Sequence, residues 1–313
     1  NTYAASGDVT FSGLKTLAGR DLEAGEFTFE LYAGASATGT PIDTATHLAD
    51  GTYAFQKITY TLADVKNSPF TYTVKEASGT VGGVVYATNT YTVTVTLADN
   101  GDGTLTVTPS ANYDDLNFTN TYGATGNVTL SGTKTLTGRD LAVDEFTFEL
   151  YAGSSATGTP IDTVTNAADG TFAFAQINYI LSDVGTKTYT VVEKVGTLGG
   201  VTYDTDDYTV TVAIADAGNG SLTVTPSSNY NALDFENEYE ADGSLALSGT
   251  KTLTGRDLDA GEFSFELWED LVKLETVTHD GDGDFSFTTL DYDLTDVGTK
   301  IYTIKEVTGT LGG

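Results

Sequence analysis

The chain has 313 residues and a formal net charge of −30, and its composition already excludes several kinds of protein. The 44 acidic residues stand against 14 basic ones, which makes nucleic acid and anionic membranes poor partners because like charges repel. Cysteine and methionine are both absent, so no disulfide framework and no thiolate metal site can form. No apolar run reaches the length of a membrane span, and the opening NTYAASGDVT is not the pattern of a signal peptide.

A motif of the form SGxKTLxGRDL occurs three times and divides the chain. Its lysines recur at intervals of about 118 residues, which is the length of a domain rather than of a solenoid repeat. The sequence therefore indicates a string of small domains instead of one large enzyme domain. The copies are VTFSGLKTLAGRDL at 9–22, VTLSGTKTLTGRDL at 128–141 and LALSGTKTLTGRDL at 245–258.

An Asn-x-Tyr triplet precedes each copy of this motif at the same distance. The triplets begin at Asn1, Asn120 and Asn237, so the chain opens on what we interpret as the end of a preceding repeat. Few residues separate Tyr122 from the next copy, and we expect successive domains to stack as a semi-rigid rod. The predicted organisation is a repeat tail at 1–6, complete repeats at 7–122 and 123–240, and an incomplete repeat at 241–313.

Short runs of alternating Thr, Val, Tyr and Phe, interrupted by Gly, Asp, Asn and Pro, are typical of strands joined by tight turns. In EFTFELY, for example, Phe27, Phe29 and Leu31 share one face and the polar residues the other. Seven or so strands in about 118 residues predict an all-β, immunoglobulin-like antiparallel β-sandwich for each repeat. In the first repeat the strands are expected near 8–17, 26–33, 51–60, 69–77, 88–98, 103–109 and 116–122.

Three kinds of polar residue are predicted to face the core. Lys134 shares its strand face with Leu130 and Leu136, and the lysines of the other two copies do the same. In YTVKE, YTVVE and YTIKE the final glutamate lies on the same strand face as the tyrosine and the third residue. In FTNTY and FENEY the asparagine lies on the same face as the phenylalanine and the tyrosine. The residues predicted to point inward are Lys15, Lys134 and Lys251, Glu76, Glu193 and Glu306, and Asn120 and Asn237.

Burying an amine with a carboxyl group costs several kcal/mol unless the two are well paired, so this recurrence needs a reason. Desolvation lowers the pKa of a lysine and raises that of a glutamate, which favours a neutral amine beside a protonated acid. The acid would then polarise the asparagine carbonyl, the amine would attack the amide carbon, and ammonia would leave. The predicted product is a Lys–Asn isopeptide bond between the first and last strands. The alternative is a lysine at a strand end, paired with the glutamate, and an asparagine that caps a turn.

At these residues the chain resembles the isopeptide-containing pilin and adhesin-stalk domains of Gram-positive bacteria, of the streptococcal backbone-pilin or CnaB-like type. The resemblance rests on SGxKTLxGRDL, EFTFELY, YTVKE followed by GTxGG, and F-x-N-x-Y. It covers the two complete repeats and the available part of the third.

The resemblance implies a cross-link in each complete repeat, with the glutamate promoting its formation. Lys251 and Glu306 match their positions, but no asparagine follows them, and Asn1 matches the acceptor of a preceding repeat; both Lys251 and Asn1 are thus expected to be unpaired in this chain. The implied bonds are Lys15–Asn120 with Glu76 and Lys134–Asn237 with Glu193.

By this resemblance the chain is expected to be a structural protein, not an enzyme, from the shaft of a pilus or the stalk of a fibrillar adhesin. It implies an extracellular, cell wall-anchored fibre, without cofactor or metal. The expected partners are neighbouring repeats or subunits of the same fibre, together with a sortase and a tip adhesin. Two alternatives are a module that binds host glycan or protein through its loops, and a glycosidase. The latter needs two acids in one cleft, whereas Glu76 and Glu193 fall in separate domains.

The remaining candidates for chemistry are weak. The acidic segment from Asp280 to Asp284, with Asp291 further on, imitates a calcium loop but has Phe285 where such a loop needs glycine. We predict a hairpin turn there. His47 and His279 are expected to be isolated in polar loops and are given no role.

Overall fold

The computed structural model describes residues 1–309, and in these the all-β fold of tandem β-sandwiches is confirmed. Residues 310–313, which end the predicted third repeat and its GTLGG segment, lie outside the described residues. Two units are distinguished, the first made of 1–130, 175–188 and 210–229, the second of 131–174, 189–209 and 230–313. The boundaries of the three repeats stay a prediction.

The strands from the first part of the chain form two main sheets. One has the order β10-β9-β7-β3-β4 and the other β5-β2-β11-β8, while β1 pairs with β6. Neighbours are antiparallel except β2 and β11, which run parallel. The strands are β1 (Ser6–Val9), β2 (Ser12–Ala18), β3 (Thr28–Ala33), β4 (Asp43–Thr46), β5 (Thr52–Ala54), β6 (Ile58–Thr61), β7 (Phe70–Glu76), β8 (Val84–Val85), β9 (Thr90–Asp99), β10 (Leu105–Pro109) and β11 (Phe118–Tyr122).

The next strands repeat this arrangement. The sheets have the orders β15-β14-β18-β20-β21 and β16-β13-β22-β19, β12 pairs with β17, and β13 and β22 are parallel. The strands are β12 (Thr125–Val128), β13 (Ser131–Thr137), β14 (Thr147–Ala152), β15 (Asp162–Thr165), β16 (Thr171–Ala173), β17 (Ile177–Ile180), β18 (Gly185–Glu193), β19 (Val201–Thr202), β20 (Asp207–Asp216), β21 (Leu222–Pro226) and β22 (Leu233–Tyr239).

The last strands form smaller sheets, with the order β26-β25-β29 and the pairs β23–β28 and β24–β27. They are β23 (Gly243–Leu245), β24 (Ser248–Thr250), β25 (Ser264–Glu269), β26 (Val272–Thr278), β27 (Asp284–Ser286), β28 (Leu290–Tyr292) and β29 (Tyr302–Glu306). The 3-10 helices are Leu62–Asn67, Leu181–Asp183 and Leu294–Asp296. Within residues 1–309 there is no helix with the length and apolar character of a membrane span.

In the first repeat, two of the predicted strands differ from the structure. Each of them corresponds to two shorter strands that belong to different sheets. The predicted strand 8–17 is β1 followed by β2, and the predicted strand 51–60 is β5 followed by β6. At this corner the backbone N–H of Phe55 donates to the carbonyl of Phe11, and both rings are buried. Alternation continues through such a corner, so it does not show that the chain has changed sheets.

Stacked aromatic pairs fill the space between the sheets. Phe29 of β3 stacks on Tyr53 of β5 with ring centroids 3.7 Å apart, and Phe148 stacks on Phe172 at 3.9 Å. The predicted inward face of EFTFELY is confirmed, because Phe27, Phe29 and Leu31 are all buried. Burial of these large rings is the main apolar contribution to stability.

Both histidines lie in loops, directly after β4 and β26, but they are buried and hydrogen-bonded, contrary to the expectation that they are isolated. His47 is only 2% exposed, and its Nε2 accepts the backbone N–H of Phe27 at 3.2 Å. Its Nδ1 lies 2.8 Å from the carbonyl of Leu48, which can only accept, so Nδ1 carries the proton. His279 makes the same contacts in the third part of the chain. Both rings therefore satisfy buried backbone groups.

In the second repeat an asparagine makes the corresponding hydrogen bonds. Asn166 is 1% exposed, and its Oδ1 accepts the backbone N–H of Phe146 at 2.8 Å. Its Nδ2 donates to the carbonyls of Ala142 and Ala167. Histidine and asparagine are thus equivalent at this position.

We expect His47→Ala to lower the free energy of unfolding around β3 by about 1–3 kcal/mol, because the buried N–H of Phe27 loses its acceptor. His47→Asn should recover most of this, since Asn166 performs the same role. Hydrogen exchange of the β3 amides measures the difference, with the amides of β14 as an internal reference. Equal exchange in wild type and His47→Ala would contradict the role given to His47.

Candidate functional site

The first site joins three buried side chains from three strands. Lys15 of β2, Glu76 of β7 and Asn120 of β11 are 2%, 5% and 0% exposed. The Lys15 Nζ lies 2.8 Å from Glu76 Oε1, and Asn120 Nδ2 donates to the same oxygen at 2.9 Å. One carboxyl group thus contacts both the amine and the amide, and the structure brings together the three residues that the sequence selected.

Strand register explains how they meet. In the parallel pair of β2 and β11, Lys15 lies opposite Phe118 and Leu17 opposite Asn120, so Lys15 and Asn120 are close on one face. Glu76 comes from the facing sheet, where it lies opposite Phe29 of β3. The site therefore lies between the two sheets.

The second site has the same construction. Lys134 of β13, Glu193 of β18 and Asn237 of β22 are 3%, 5% and 1% exposed. Lys134 Nζ donates to Glu193 Oε2 at 2.7 Å, and Asn237 Nδ2 donates to Oε1 at 2.7 Å. Here the amine and the amide use different oxygens of the carboxyl group, whereas in the first site they share one.

Each amine also lies over an aromatic ring. Lys15 Nζ is 4.6 Å from the ring centroid of Phe27, and Lys134 Nζ is 4.9 Å from that of Phe146. Lys15 contacts Glu76 without a well-aligned hydrogen bond, whereas Lys134 makes one to Glu193. A ring on one side and one carboxyl group on the other leave the amine poorly solvated.

Burial disfavours the charged form of both the amine and the acid. It lowers the pKa of Lys15 and of Lys134 below the ordinary value, against the raising effect of the neighbouring glutamate. Burial likewise raises the pKa of Glu193, although the hydrogen bonds from Lys134 and Asn237 oppose it. Both shifts favour a neutral amine beside a neutral acid, which is the state that a nucleophilic attack requires.

The asparagine carbonyl does not face the glutamate, contrary to the expectation that the acid polarises it. Asn120 Oδ1 accepts the backbone N–H of Ala87 at 2.7 Å, and Asn237 Oδ1 accepts that of Asp204 at 2.7 Å. The sequence carries no signal for these donors, because they are main-chain groups at positions with different side chains.

The third set of residues is only partly assembled. Lys251 Nζ lies 2.8 and 2.9 Å from the two oxygens of Glu306, but their side chains are 19% and 41% exposed. Lys251 follows β24 instead of lying within it, and β24 has only β27 as a partner within residues 1–309. This pair is therefore partly exposed, whereas the corresponding pairs of the two complete repeats are buried. Asn1, the unpaired acceptor in the sequence, is exposed.

The acidic segment after β26 is a turn rather than a metal loop. Asp280 Oδ1 accepts the backbone N–H groups of Asp282 and Asp284, both at 2.9 Å. The turn leads from β26 to β27, which belong to different sheets, so it is not the hairpin that was predicted. In residues 1–309 no group of three or more His, Asp or Glu side chains is arranged to hold a metal ion.

Solved structures with some likeness to this chain are distant from it. The Bacillus anthracis TIE protein is 15% identical with a TM-score of 0.23; the alignment covers 96% of this chain, which spans only 45% of that protein. The major pilin T-13 of Streptococcus pyogenes is 17% identical, with a TM-score of 0.24 and coverage of 76% of this chain and 98% of the pilin. A C-terminal fragment of the pilus adhesin SpaC from Lactobacillus rhamnosus GG is 14% identical, with a TM-score of 0.23 and coverage of 74% and 96%.

A search of proteins with curated function found no match. The description of one protein family, FctA, the Spy0128-like isopeptide-containing domain, fits residues 11–123 and 130–240. These two segments make up more than half of the chain and contain both complete sites. Their fit to the family identifies structural, pilin-like domains rather than enzymes. The chain belongs to the FctA family of Spy0128-like isopeptide-containing domains.

Proposed function

We propose that the chain forms part of the shaft or stalk of a bacterial surface fibre, in which each complete repeat is locked by an isopeptide bond. The bonds would join Lys15 to Asn120 and Lys134 to Asn237, promoted by Glu76 and Glu193. The observation that carries this proposal is the contact of one buried carboxyl group with both an amine and an amide, found twice in the chain.

The reaction needs no group from outside the domain. The neutral lysine Nζ attacks the asparagine Cγ, so that the Nζ–Cγ bond forms and the Cγ–Nδ2 bond breaks. The protonated glutamate gives its proton to Nδ2 and takes one from Nζ in return, so that it ends protonated again and ammonia leaves. In the second site Glu193 is placed for both transfers, because its two oxygens contact Nζ and Nδ2. The step occurs once per domain.

The position of the bond suits a fibre under tension. In the first repeat it would connect β2, near the start, to β11, at the end, and these strands are neighbours in one sheet. A pulling force would then pass through covalent bonds instead of separating the strand ladder. In a chain without cysteine this supplies the restraint that a disulfide gives to other extracellular proteins.

Membership of the family supports a proposed setting for the fibre. Pilin-like proteins are displayed at the cell surface, and their partners are subunits of the same fibre. For this chain we propose a cell wall-anchored fibre with repeats at 7–122, 123–240 and 241–313, following a repeat tail at 1–6. Neighbouring repeats or subunits, a sortase and a tip adhesin are the proposed partners. Within this chain Lys251, with Glu306, and Asn1 remain unjoined.

Intact-mass spectrometry tests the two bonds. We expect the wild-type chain to weigh less than its sequence by two ammonias, and Glu193→Gln to be short of only one, because glutamine cannot shuttle the proton. Peptide mapping should find the branched Lys15–Asn120 peptide in both proteins. The exposed Glu236→Gln is the matched control and should lose two. A wild-type chain with its full sequence mass would refute the proposal.

The rate of bond formation should depend on pH in both directions. Below the folded pKa of Lys134, which burial lowers, the amine is protonated and cannot attack. Above the folded pKa of Glu193, which burial raises, the acid has lost the proton needed by the leaving group. A chain kept unfolded since its synthesis and then refolded at a series of pH values should therefore lose ammonia fastest between these limits. A rate that rises steadily toward acid would contradict this assignment.

A further inference from the structure

We propose that the backbone N–H groups of Ala87 and Asp204 are the oxyanion donors of the two bond-forming reactions. The inference rests on the proposed function and adds to it the group that stabilises the reacting oxygen. Each N–H donates to the side-chain oxygen of the acceptor asparagine at 2.7 Å, Ala87 to Asn120 and Asp204 to Asn237. An oxyanion donor must lie at a similar distance from the position that the oxyanion takes when the carbon becomes tetrahedral. The Ala87 N–H also makes a longer contact, 3.2 Å, with Glu76 Oε2.

These donors fix which way each asparagine amide faces. A backbone N–H can only donate, so the atom of Asn120 that faces Ala87 must be the oxygen. The Nδ2 then faces Glu76, where it is found, 2.9 Å from Oε1. The same reasoning orients Asn237 between Asp204 and Glu193. The glutamate therefore accepts a hydrogen bond from the amide nitrogen, and the hydrogen bond to the amide oxygen comes from the main chain.

The orientation divides the reaction between two groups. When Nζ adds to Cγ, negative charge develops on Oδ1, and the N–H already directed at that oxygen stabilises it. The glutamate meanwhile contacts the attacking and the leaving nitrogen and carries the proton between them. A fixed dipole in a buried site stabilises such charge far more than it would in solvent. The overall exchange is unchanged: one C–N bond replaces another and ammonia departs.

The loop that carries the donor is held against the nucleophile. In the first repeat Tyr86, next to Ala87, packs edge-on against Phe27 with centroids 5.5 Å apart, and Phe27 is the ring beneath Lys15 Nζ. The Tyr86 hydroxyl accepts the backbone N–H of Val81 at 3.2 Å. One ring thereby contacts both the amine and the residue that precedes the donor.

The second repeat fixes its loop in the same way. Tyr203 packs edge-on against Phe146 at 5.7 Å, and its hydroxyl accepts the backbone N–H of Leu198 at 3.2 Å. The Asp204 carboxylate turns away from the amide and accepts the backbone N–H groups of Asp206 and Glu236, at 2.8 and 2.9 Å. Alanine and aspartate can occupy the same position because the main chain supplies the donor.

An amide-to-ester replacement at Ala87 tests the donor with little change of shape. Lactic acid in place of alanine keeps the methyl group and replaces the N–H by an oxygen. The chain is kept unfolded after synthesis and refolded, and loss of ammonia from each repeat is followed by peptide mapping. We expect bond formation in the first repeat to slow by about 100-fold, as for removal of one oxyanion donor. The second repeat of the same molecule should react at its wild-type rate.

A pair of substitutions in the second repeat gives an independent comparison. Asp204→Ala keeps the backbone N–H and should still close the Lys134–Asn237 bond, whereas Asp204→Pro removes it and should slow closure. Because proline can also disturb the loop, the ester at 87 decides the question. The inference would be overturned if the ester variant closed each of its two bonds at the rate that the same bond has in the wild-type chain. Failure of the proposed function is separate, since the wild-type chain would then lose no ammonia at all.

Discussion

Desolvation of the Lys–Glu pair is the constraint on which the rest of each complete domain depends. Two ionisable groups between packed sheets are costly, and a good ion pair recovers only part of that cost. Burial shifts the pKa of Lys134 down and that of Glu193 up, so the charges themselves are disfavoured. A reaction that turns the amine and the amide into one neutral amide removes the amine from the core for good. The arrangement that would destabilise an inert core would be the starting state of the proposed reaction.

The order of the strands decides which parts of the domain the proposed bond would connect. Because β2 and β11 are parallel neighbours, the lysine and the asparagine approach each other from opposite ends of the domain sequence while lying close in one sheet. The glutamate arrives from the facing sheet. The parallel pair of β13 and β22 repeats the arrangement. Any bond formed here closes almost the whole domain into one covalent loop, which restricts the unfolded chain as a long disulfide loop does.

The sequence predicted the two complete sites because strand alternation is strict wherever two sheets cover a strand. Lys15 and Lys134 followed it and are buried. Lys251 keeps the alternation but is only half-buried, since in residues 1–309 no strand corresponding to β11 or β22 pairs with β24. Leu245 is accordingly 39% exposed. The burial of His47 was not predicted, because the residues around it in the sequence are polar. Both nitrogens of its ring are hydrogen-bonded to backbone groups. The main-chain donors had no side-chain signal, and only the fold could reveal them.

Assembly of the site from distant strands couples the chemistry to folding. The amine, acid and amide of the first site come from β2, β7 and β11, and the N–H that meets the amide oxygen follows β8, which pairs with β11. None of these groups is near another in the unfolded chain, so the effective concentration that drives the attack exists only after both sheets have formed. The proposed cross-link could therefore fix only a domain that has already reached its native arrangement. Within the proposed fibre each bond would mark a correctly folded repeat and then hold it.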